Sequence, residues 1–485
     1  MDLPQGLVTT AVNLLFLMCD QMQGRLLDPD HPCLTPNLDR LAARGVRFTR
    51  AYTPNAICSP ARASLMTGRL PHSHGVLTVI HTVDDDQCCL RTQLPHWAQR
   101  LQLAGYNTGY FGKWHVERSR QLTNFGWGDY ACEGTERLRE ADAAASQQRE
   151  QAEWLLQWNL DQPPGYQSSR FYGVTESPPE DRTLGVYTRL GLDFLDAAIA
   201  RNEPWCCFVS VNEPHDPFIC GAQAFAQYNV DAVELPANIG DDLAGRPGIY
   251  RKAARVWSQM TERQKREAAA CYWASATEID AQFGRLLDRV ESAGQLENTI
   301  VVFTSDHGEL LGAHGLYCKN FTAAEEVYNV PLLLAGPGVA RGVNSDARVG
   351  LHDICPTVLE LAGVKPFDTG GESRSFVGVA ANPASAGTDW DHGYAEYFGG
   401  RMWLTQRVVW EGDWKFVFNG FDEDELYDLA SDPGELTNRI ADPQCEPMVR
   451  HLAQQMWQRC RDTNDDSLLN SGYPILRVAP IGPEA

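Results

Sequence analysis

The chain has 485 residues, of which 41 are Lys or Arg and 63 are Asp or Glu, so that its formal net charge is −22. This acidity excludes a protein that binds along a nucleic-acid backbone, because such binding requires a basic surface. Hydrophobic residues at 43% and aromatic residues at 10% predict a large packed core and exclude an intrinsically disordered chain.

The N-terminal apolar run, Leu7–Met18, is the first predicted element. It is interrupted by Thr9, Thr10 and Asn13, and it is too short to span a bilayer. No Lys or Arg precedes it, in contrast to a secretory signal peptide. We interpret it as a buried strand and expect a cytoplasmic protein without membrane contact, whose 14 cysteines are mostly free thiols.

Short apolar runs then alternate with segments of helical periodicity over about 360 residues, which is typical of a mostly parallel sheet covered by helices. The predicted strands are Ala11–Met18, Asn107–Phe111, Trp205–Val211, Thr299–Thr304 and Pro331–Ala335. The predicted helices are Pro36–Arg44, Pro60–Thr67, Thr92–Ala104, Ser275–Ala293 and His352–Ala362. This order of elements predicts an α/β fold.

Two stretches depart from this alternation. The polar, helix-prone segment Glu133–Leu160 and its Pro-rich continuation to about Arg182 resemble insertions that shape substrate access in α/β enzymes. A change in composition at 367–389 predicts a linker. We therefore predict a catalytic α/β domain at 1–366 and a small α+β domain with its tail at 390–485.

Four polar clusters come directly after predicted strands or close to their ends. They are Asp20-Gln21, Lys113-Trp114-His115, His215 and Asp306-His307. A single polar residue at such a position is more often a turn residue. Open α/β sheets, however, bind ligands at the carboxyl ends of their strands, so that four clusters in one chain predict a common site.

A fifth element is Cys58-Ser59-Pro60-Ala61-Arg62. Cys58 precedes a helix whose first residue we expect to be Pro60, and the positive end of a helix stabilises an anion. Arg62 lies one turn further and can bind an oxyanion through two N–H groups. On this pattern alone, a buried thiol beside a helix start is equally compatible with the sequence.

The segment CSPAR followed by ASLMTGR resembles the signature of type I, formylglycine-dependent sulfatases of the alkaline phosphatase superfamily. Further segments resemble this family in the same order, from about Asn13 to Asn438: NLLFLMCDQ, TPNLDRLAARGVRFTRAY, GYNTGYFGKWH, EPHDPF, TSDHGELLGAHGLYCKN, VPLLLAGPGV and ELYDLASDPGE. The resemblance implies an alkaline-phosphatase-like, large, mixed and mostly parallel sheet between helices. It also implies a small C-terminal α+β domain with an antiparallel sheet, and a maturing enzyme that oxidises Cys58 to Cα-formylglycine.

The resemblance also implies roles for individual residues. The metal ligands that it implies are Asp20, Gln21, Asp306, His307 and the modified Cys58. The implied catalytic residues besides Cys58 are Arg62, Lys113 and Lys319, which hold the nucleophile and the sulfate oxygens, His115 as a base, and His215 beside the leaving oxygen. We expect Lys113, His215 and Lys319 to contact substrate, together with His74 and His314 from neighbouring segments.

The metal ligands differ from the commonest family pattern. Many sulfatases have Asp-Asp and Asp-Asn at the two ligand pairs, whereas this chain has Asp20-Gln21 and Asp306-His307. This combination resembles a branch that includes phosphonate monoester hydrolases and choline-sulfatase-like enzymes, and it is compatible with a homo-oligomer. A His ligand suits Mn²⁺ better than Ca²⁺. We expect Ca²⁺, the metal common in the family, with Mn²⁺ as the alternative.

The expected function is the hydrolysis of a sulfate monoester of a sugar, a small alcohol or a phenol. The alternative is a phosphonate monoester or phosphodiester hydrolase that uses the same residues, and a more remote one is a catalytically silent glycan-binding relative. The charge of −22 favours a small or singly sulfated substrate over a long polysulfated polymer, which the surface would repel.

Overall fold

The computed structural model describes residues 11–84, 88–161, 164–201, 203–319, 321–469 and 478–485. An eight-stranded sheet forms its centre. In spatial order the strands are Val343–Ser345, Gly45–Phe48, Leu332–Ala335, Thr299–Ser305, Asn13–Cys19, Trp205–Ser210, Asn107–Gly112 and Asp129–Cys132. Only Leu332–Ala335 runs antiparallel to its neighbours among these strands. The predicted mostly parallel α/β fold is therefore confirmed.

The central strand Asn13–Cys19 is buried along its whole length, because both faces of the sheet are covered. Successive side chains of a strand point to opposite faces. Accordingly, Leu15 and Leu17 pack into one apolar core, whereas Phe16 and Met18 pack into a second core. This arrangement explains why the sequence shows a continuous apolar run there instead of an alternating pattern.

The helices cover this sheet and the smaller ones. Their bounds are Pro36–Ala42, Cys58–Thr67, Pro71–His74, Trp97–Leu103, Glu136–Gln151, Thr183–Arg201, Ala222–Phe225, Gly248–Trp257, Glu262–Ser292, Glu325–Tyr328, Ile354–Leu361, Val377–Ala381, Glu446–Thr463 and Asp466–Leu469. The predicted helix Ser275–Ala293 is the second half of the 31-residue helix Glu262–Ser292. Within the described residues, none of these helices combines the length and apolarity needed to cross a membrane.

The helix predicted over Glu133–Leu160 is only partly correct. A helix spans Glu136–Gln151, but Trp154–Leu160 is a strand. It pairs antiparallel with Ser169–Thr175, which in turn pairs parallel with Phe218–Gly221. The aromatic residues of this segment favour a strand once a partner strand is available, which helix propensity alone does not register.

A four-stranded antiparallel sheet lies near the C-terminus. Its strands, in order, are His392–Tyr397, Gln406–Glu411, Trp414–Asn419 and Glu425–Asp428. The helix Glu446–Thr463 packs on this sheet through a separate apolar core. The expected antiparallel sheet is thus present, while the domain boundaries at 366 and 390 stay predictions.

Candidate active site and metal centre

Four neighbouring or nearby strands of the main sheet deliver polar residues to one edge. Three of the strands end at Cys19, Gly112 and Ser305, directly before Asp20, Lys113 and Asp306. His215 follows the strand that ends at Ser210 after a short loop. The clusters predicted from the sequence therefore meet at the carboxyl ends of the strands, where ligands bind in α/β sheets.

Cys58 is the first residue of the fully buried helix Cys58–Thr67. The helix thus begins two residues before Pro60, the start predicted from the sequence. The Cys58 Sγ lies 3.2 Å from His307 Nε2 and 3.8 Å from Asp20 Oδ1. A group at this position is held against the sheet edge and faces the positive end of the helix dipole.

The surroundings of Cys58 favour a negative charge on its side chain. Burial by itself disfavours the thiolate, but the positive charges of Lys113 and Lys319 outweigh it and bring the pKa of Cys58 well below its usual range. A nucleophile at this position is consequently stabilised as an anion, which is the form that reacts.

Four side chains form a candidate site for a divalent metal. Donor atoms of Asp20, Cys58, Asp306 and His307 all lie within 4.8 Å of one another, and all four residues are buried. His307 Nδ1 lies 2.9 Å from the carbonyl oxygen of Gly308, to which it can donate. This bond leaves His307 Nε2 as a lone-pair donor that faces the cluster, as in metal-binding histidines. The donor set therefore fits a divalent cation.

Gln21, the fifth predicted ligand, is oriented by two carboxylates. Its Nε2 donates to Asp216 Oδ1 at 2.9 Å and to Glu309 Oε2 at 2.6 Å. Its Oε1 consequently faces the other way and accepts a hydrogen bond from Lys319 Nζ at 2.9 Å. With both amide protons bound to carboxylates, the Gln21 oxygen is fixed on the side of Lys319. An Asp or Glu at position 21 would instead face two negative charges.

Arg62 joins the two metal-site carboxylates. Its Nε donates to Asp306 at 2.7 Å and its Nη2 to Asp20 at 3.1 Å. Its Nη1 donates to the Lys113 carbonyl oxygen at 3.0 Å and to Ser210 Oγ at 2.8 Å. All three nitrogens of the buried guanidinium are therefore used within the protein, and Arg62 holds the helix of Cys58 against the sheet edge.

Lys113 also pairs with Asp20, with 2.6 Å between its Nζ and Asp20 Oδ2. Burial and the nearby Cys58 raise the pKa of Asp20, but Lys113, His215 and Arg62 outweigh both and bring it below its usual range. The carboxylate of Asp20 is therefore ionised and available to a metal.

Two pairs of basic groups flank Cys58. Lys319 Nζ lies 2.7 Å from His215 Nε2, while His215 Nδ1 lies 2.6 Å from the carbonyl oxygen of Asp216. His215 with a proton on Nδ1 thus accepts a hydrogen bond from the ammonium group of Lys319. His115 Nε2 lies 2.9 Å from His81 Nδ1, and His115 adopts a positive φ of 52°. Such backbone strain is often found at functional sites.

These side chains line a cavity of about 860 Å³. Cys58, Lys113, His115, His215 and Lys319 all contribute to its wall. An apolar section of the wall is formed by Ile57, Val79, Ile80, Phe321 and Tyr397, and a polar section by His81, Glu117, Arg118, Arg120, Glu133 and Arg401. This volume is ample for a ligand the size of a sugar or an aromatic ester.

The structure places His74 and His314 away from this cavity, contrary to the expectation that they contact substrate. His74 is fully buried, lies 3.0 Å from Ser64 Oγ through its Nε2 and accepts a hydrogen bond from Val76 N at its Nδ1. His314 is also buried, and its Nδ1 lies 2.7 Å from Asp241 Oδ2 and 3.0 Å from Arg246 Nη1. Both imidazoles are occupied by structural contacts.

Sequence analysis did not identify several residues that shape the site. Asp216 and Glu309 orient Gln21, His81 contacts His115, and Arg120 and Arg401 line the cavity. Asp216 and Glu309 follow His215 and His307 closely in sequence, which is a usable signal. The other three come from loops, and no spacing in the sequence relates them to Cys58.

Comparisons with known proteins identify the family that this chain resembles. The family model described as Sulfatase matches residues 13–364, and the model described as N-sulphoglucosamine sulphohydrolase, C-terminal, matches residues 312–462. A choline-sulfatase of Rhizobium meliloti is 30% identical over 462 residues, which cover 90% of this chain and 84% of that protein.

A more distant relative and a solved structure extend these similarities. An N-acetylglucosamine-6-O-sulfatase of Bacteroides thetaiotaomicron is 24% identical over 532 residues, with 96% of this chain and 88% of that protein covered. The crystal structure of a phosphonate monoester hydrolase from Silicibacter pomeroyi superimposes with a TM-score of 0.78 at 22% identity, over 94% of this chain and 96% of that one. This last similarity concerns the fold alone.

Proposed function

The chain belongs to the sulfatase family and is a sulfuric ester hydrolase, and from this premise we propose that it hydrolyses a sulfate monoester of a sugar, small alcohol or phenol at the cavity around Cys58. The observation that carries the proposal is the position of Cys58 at a buried helix start. There it faces Asp20, His307 and two lysines, Lys113 and Lys319, whose charges lower its pKa.

We propose that Cys58 is converted to Cα-formylglycine, as the family generally implies. When hydrated, this group supplies an oxygen nucleophile and a second hydroxyl group whose loss of a proton later releases sulfate. His115, within reach of position 58, is the base that we assign to this proton. Lys113, paired with Asp20, and Lys319 present positive charge to the sulfate oxygens.

The leaving alcohol requires a proton, because an alkoxide is a poor leaving group. We assign its donation to the Lys319–His215 pair, in which the ammonium of Lys319 already donates to His215. Burial and Lys319 disfavour the charged imidazole, but Asp216 and Asp20 raise the pKa of His215 overall. Either member of the pair can thus carry the proton, with Gln21 and Asp216 holding the two side chains in place.

The ligands that would hold the metal are Asp20, Gln21, position 58, Asp306 and His307. A divalent cation there would polarise the sulfate group and stabilise charge on the nucleophile. We propose Ca²⁺, with Mn²⁺ as the alternative that the imidazole of His307 favours. Removal of the bound metal with a chelator should abolish activity. When each metal is then added in turn, the native metal should restore the most activity and raise the melting temperature the most.

A substrate panel tests the proposal. Purified, metal-loaded protein is assayed with an aryl sulfate, an aryl phosphonate monoester, a phosphodiester, choline sulfate and sulfated monosaccharides, and its metal content is measured in parallel. We expect sulfate esters to give the highest kcat/KM. Turnover of phosphonates or phosphodiesters that exceeds sulfate hydrolysis by orders of magnitude would favour the alternative hydrolase.

Mass spectrometry of the peptide that contains Cys58 tests the modification. Conversion of the thiol to the aldehyde lowers the peptide mass by about 18 Da. Full activity in a preparation whose Cys58 is an unmodified thiol would contradict the formylglycine mechanism. The same measurement gives the fraction of molecules that carry formylglycine. Each measured kcat is divided by this fraction to give the rate per active molecule.

A further inference from the structure

Two arginines at the cavity, Arg120 and Arg401, lie on loops with strained backbones. Their φ angles are 55° and 73°, in the left-handed region that residues other than glycine rarely adopt. Such strain costs free energy and persists where the surrounding structure imposes it, often around a bound ligand. Two separate loops therefore hold an arginine at the same cavity in an unfavourable conformation.

Contacts around each loop fix these positions. The backbone of Gly400 packs against Ile57, the residue before Cys58, so closely that a Cβ atom there would lie 3.0 Å from Ile57 Cδ1. The guanidinium of Arg120 lies over Gly134, where any Cβ atom would collide with it. Both arginines are thus placed by close backbone contacts, although their side chains are exposed.

Neither guanidinium forms an ion pair within the part of the chain that the structure describes. Among the described residues, neither has a hydrogen-bond acceptor or a carboxylate partner, in contrast to nearby Arg118, which donates to the carbonyl oxygens of Ile80 and Val83. The acidic side chains of the same wall accept N–H groups instead of a guanidinium, and Glu117 also accepts from the backbone N–H of Arg120 at 3.2 Å. Glu117 accepts from Trp114 Nε1 at 3.1 Å, and Glu133 accepts from the Trp114 backbone N–H at 3.0 Å.

The charge of the cavity wall is opposite in sign to that of the whole chain. The wall holds five Lys or Arg residues and three Asp or Glu residues, whereas the chain carries −22. The catalytic groups require only Lys113 and Lys319 for the reacting sulfate. Arg120 and Arg401 are therefore two positive groups of the cavity wall that the reacting sulfate leaves unused.

We infer that the leaving alcohol of the natural substrate carries a second anionic group, a carboxylate or a further sulfate, which Arg120 and Arg401 bind while the reacting sulfate lies at position 58. This inference rests on the proposed sulfatase function and specifies its substrate class. Guanidinium groups bind both anions through paired N–H donors. A substrate with a quaternary ammonium group, such as choline sulfate, would instead meet two uncompensated positive charges.

A matched series of aryl sulfates tests the inference. The four probes are 3-carboxyphenyl, 3-sulfophenyl, 3-acetamidophenyl and 3-(trimethylammonio)phenyl sulfate, whose leaving groups differ in charge; each rate is corrected for the acidity of the leaving phenol. We expect kcat/KM for at least one anionic ester to exceed that of the neutral ester by roughly 10-fold, and the cationic ester to be the slowest. The preferred anionic probe distinguishes a carboxylate from a sulfate, and added salt should reduce the preference.

Variants identify the residues responsible. In Arg120→Gln/Arg401→Gln, the ratio of kcat/KM between anionic and neutral esters should fall to about one. Arg255→Gln is the matched control, since Arg255 is exposed on the helix Gly248–Trp257 and does not line the cavity. Its ratio should equal that of the unaltered protein.

The outcomes separate this inference from the proposed function. Hydrolysis of all four esters at similar rates, or fastest hydrolysis of the cationic ester, would overturn the inference and leave the sulfatase function intact. A charge preference that survives in the double variant would overturn the assignment to Arg120 and Arg401. Failure of every sulfate ester, with hydrolysis of aryl phosphonates, would overturn both proposals.

Discussion

Two groups of charged residues, one around Cys58 and one around Lys415, both pair carboxylates with a buried lysine but differ in what that lysine faces. Lys415 Nζ lies 3.1 Å from Glu325 Oε1 and 2.5 Å from Glu435 Oε1. Tyr52 and Trp410 also donate to Glu325, at 2.6 Å and 2.8 Å. These partners all come from the protein, and they join the C-terminal sheet to the catalytic part.

The group around Cys58 contains buried carboxylates and cations as well, but several of its polar atoms face a cavity. Lys113, His115, His215 and Lys319 all line that cavity. Perturbed pKa values occur in both groups, since burial raises the pKa of Glu435 to about 7 against the opposing charge of Lys415. Burial of charge alone therefore does not distinguish a catalytic site from an ion-pair network. What differs is the cation: Lys113 and Lys319 face the large cavity around Cys58, whereas Lys415 is fully buried.

Removal of the nucleophile in the Cys58 group should give the largest loss of activity. Cys58→Ala should reduce kcat for an aryl sulfate by at least about 10⁴-fold, because the covalent step is lost. The melting temperature should change little, since Ala fits the buried position and the bonds of Arg62 to Asp306 and Asp20 still hold the helix. Parallel rate and calorimetric measurements check this, and residual activity within tenfold would refute the assigned role.

Removal of the proton donor should give the next largest effect. Lys319→Ala should lower kcat by roughly 10²–10³-fold for an alkyl or sugar sulfate, because the leaving alkoxide is no longer protonated. The loss should be much smaller for 4-nitrophenyl sulfate, whose leaving group needs no proton. Equal losses for both substrates would show that Lys319 serves only to bind the sulfate oxygens.

A change in the second group should affect stability instead of chemistry. Lys415→Met leaves the buried Glu435 and the partly exposed Glu325 without their cation, and breaking a buried ion pair in this way costs about 3–5 kcal/mol. Denaturant unfolding should show this loss, while kcat per folded, formylglycine-bearing molecule should stay within about threefold. A large loss of kcat in the folded variant would mean that the two groups are coupled.

A smaller effect should appear in the dependence of stability on pH. Burial disfavours a charged His72, but its hydrogen bond to Glu396, 2.6 Å long, outweighs burial and raises the pKa of His72 from 6.5 to about 9. A raised pKa stabilises the folded state below pH 6.5, and this stabilisation, at most about 3 kcal/mol, is lost as the pH rises through 9.

His72→Gln isolates this contribution from those of other groups. The difference in unfolding free energy between the unaltered protein and this variant should shrink between pH 6.5 and 9. A difference that is constant over this range would show that His72 is not charged in the folded state. The contact joins the segment Pro71–His74 to the strand His392–Tyr397, so that it also reports on the attachment of the C-terminal sheet.

The two groups also differ in how far the sequence predicted them. Asp20, Lys113 and Asp306 could be placed, because each directly follows an apolar strand and parallel strands bring such residues to one edge. The burial of Lys415 could not be predicted, because Lys415 lies between two apolar residues of a strand, where a charged residue is expected to face solvent. Its burial depends on Glu325 and Glu435, which are distant in sequence.

The errors within the site have a related cause. His74 and His314 are close to the motifs in sequence, but local hydrogen bonds turn both imidazoles away from the cavity. Arg120 and Arg401 are distant from Cys58 in sequence, yet their loops bring them to the cavity through positive φ angles. Sequence spacing predicts side-chain direction in strands and helices, which have fixed periods, but not in such loops.

The burial of Cys58 has a consequence for the biosynthesis of the protein. Its side chain is only 2% exposed, and every residue of its helix is buried. If Cys58 is oxidised to formylglycine, as we propose, the folded chain leaves its side chain almost no access to a maturing enzyme. On that proposal the oxidation would precede folding, and molecules that fold first would keep the thiol and lack the nucleophile. The active fraction then depends on the relative rates of two competing events during synthesis.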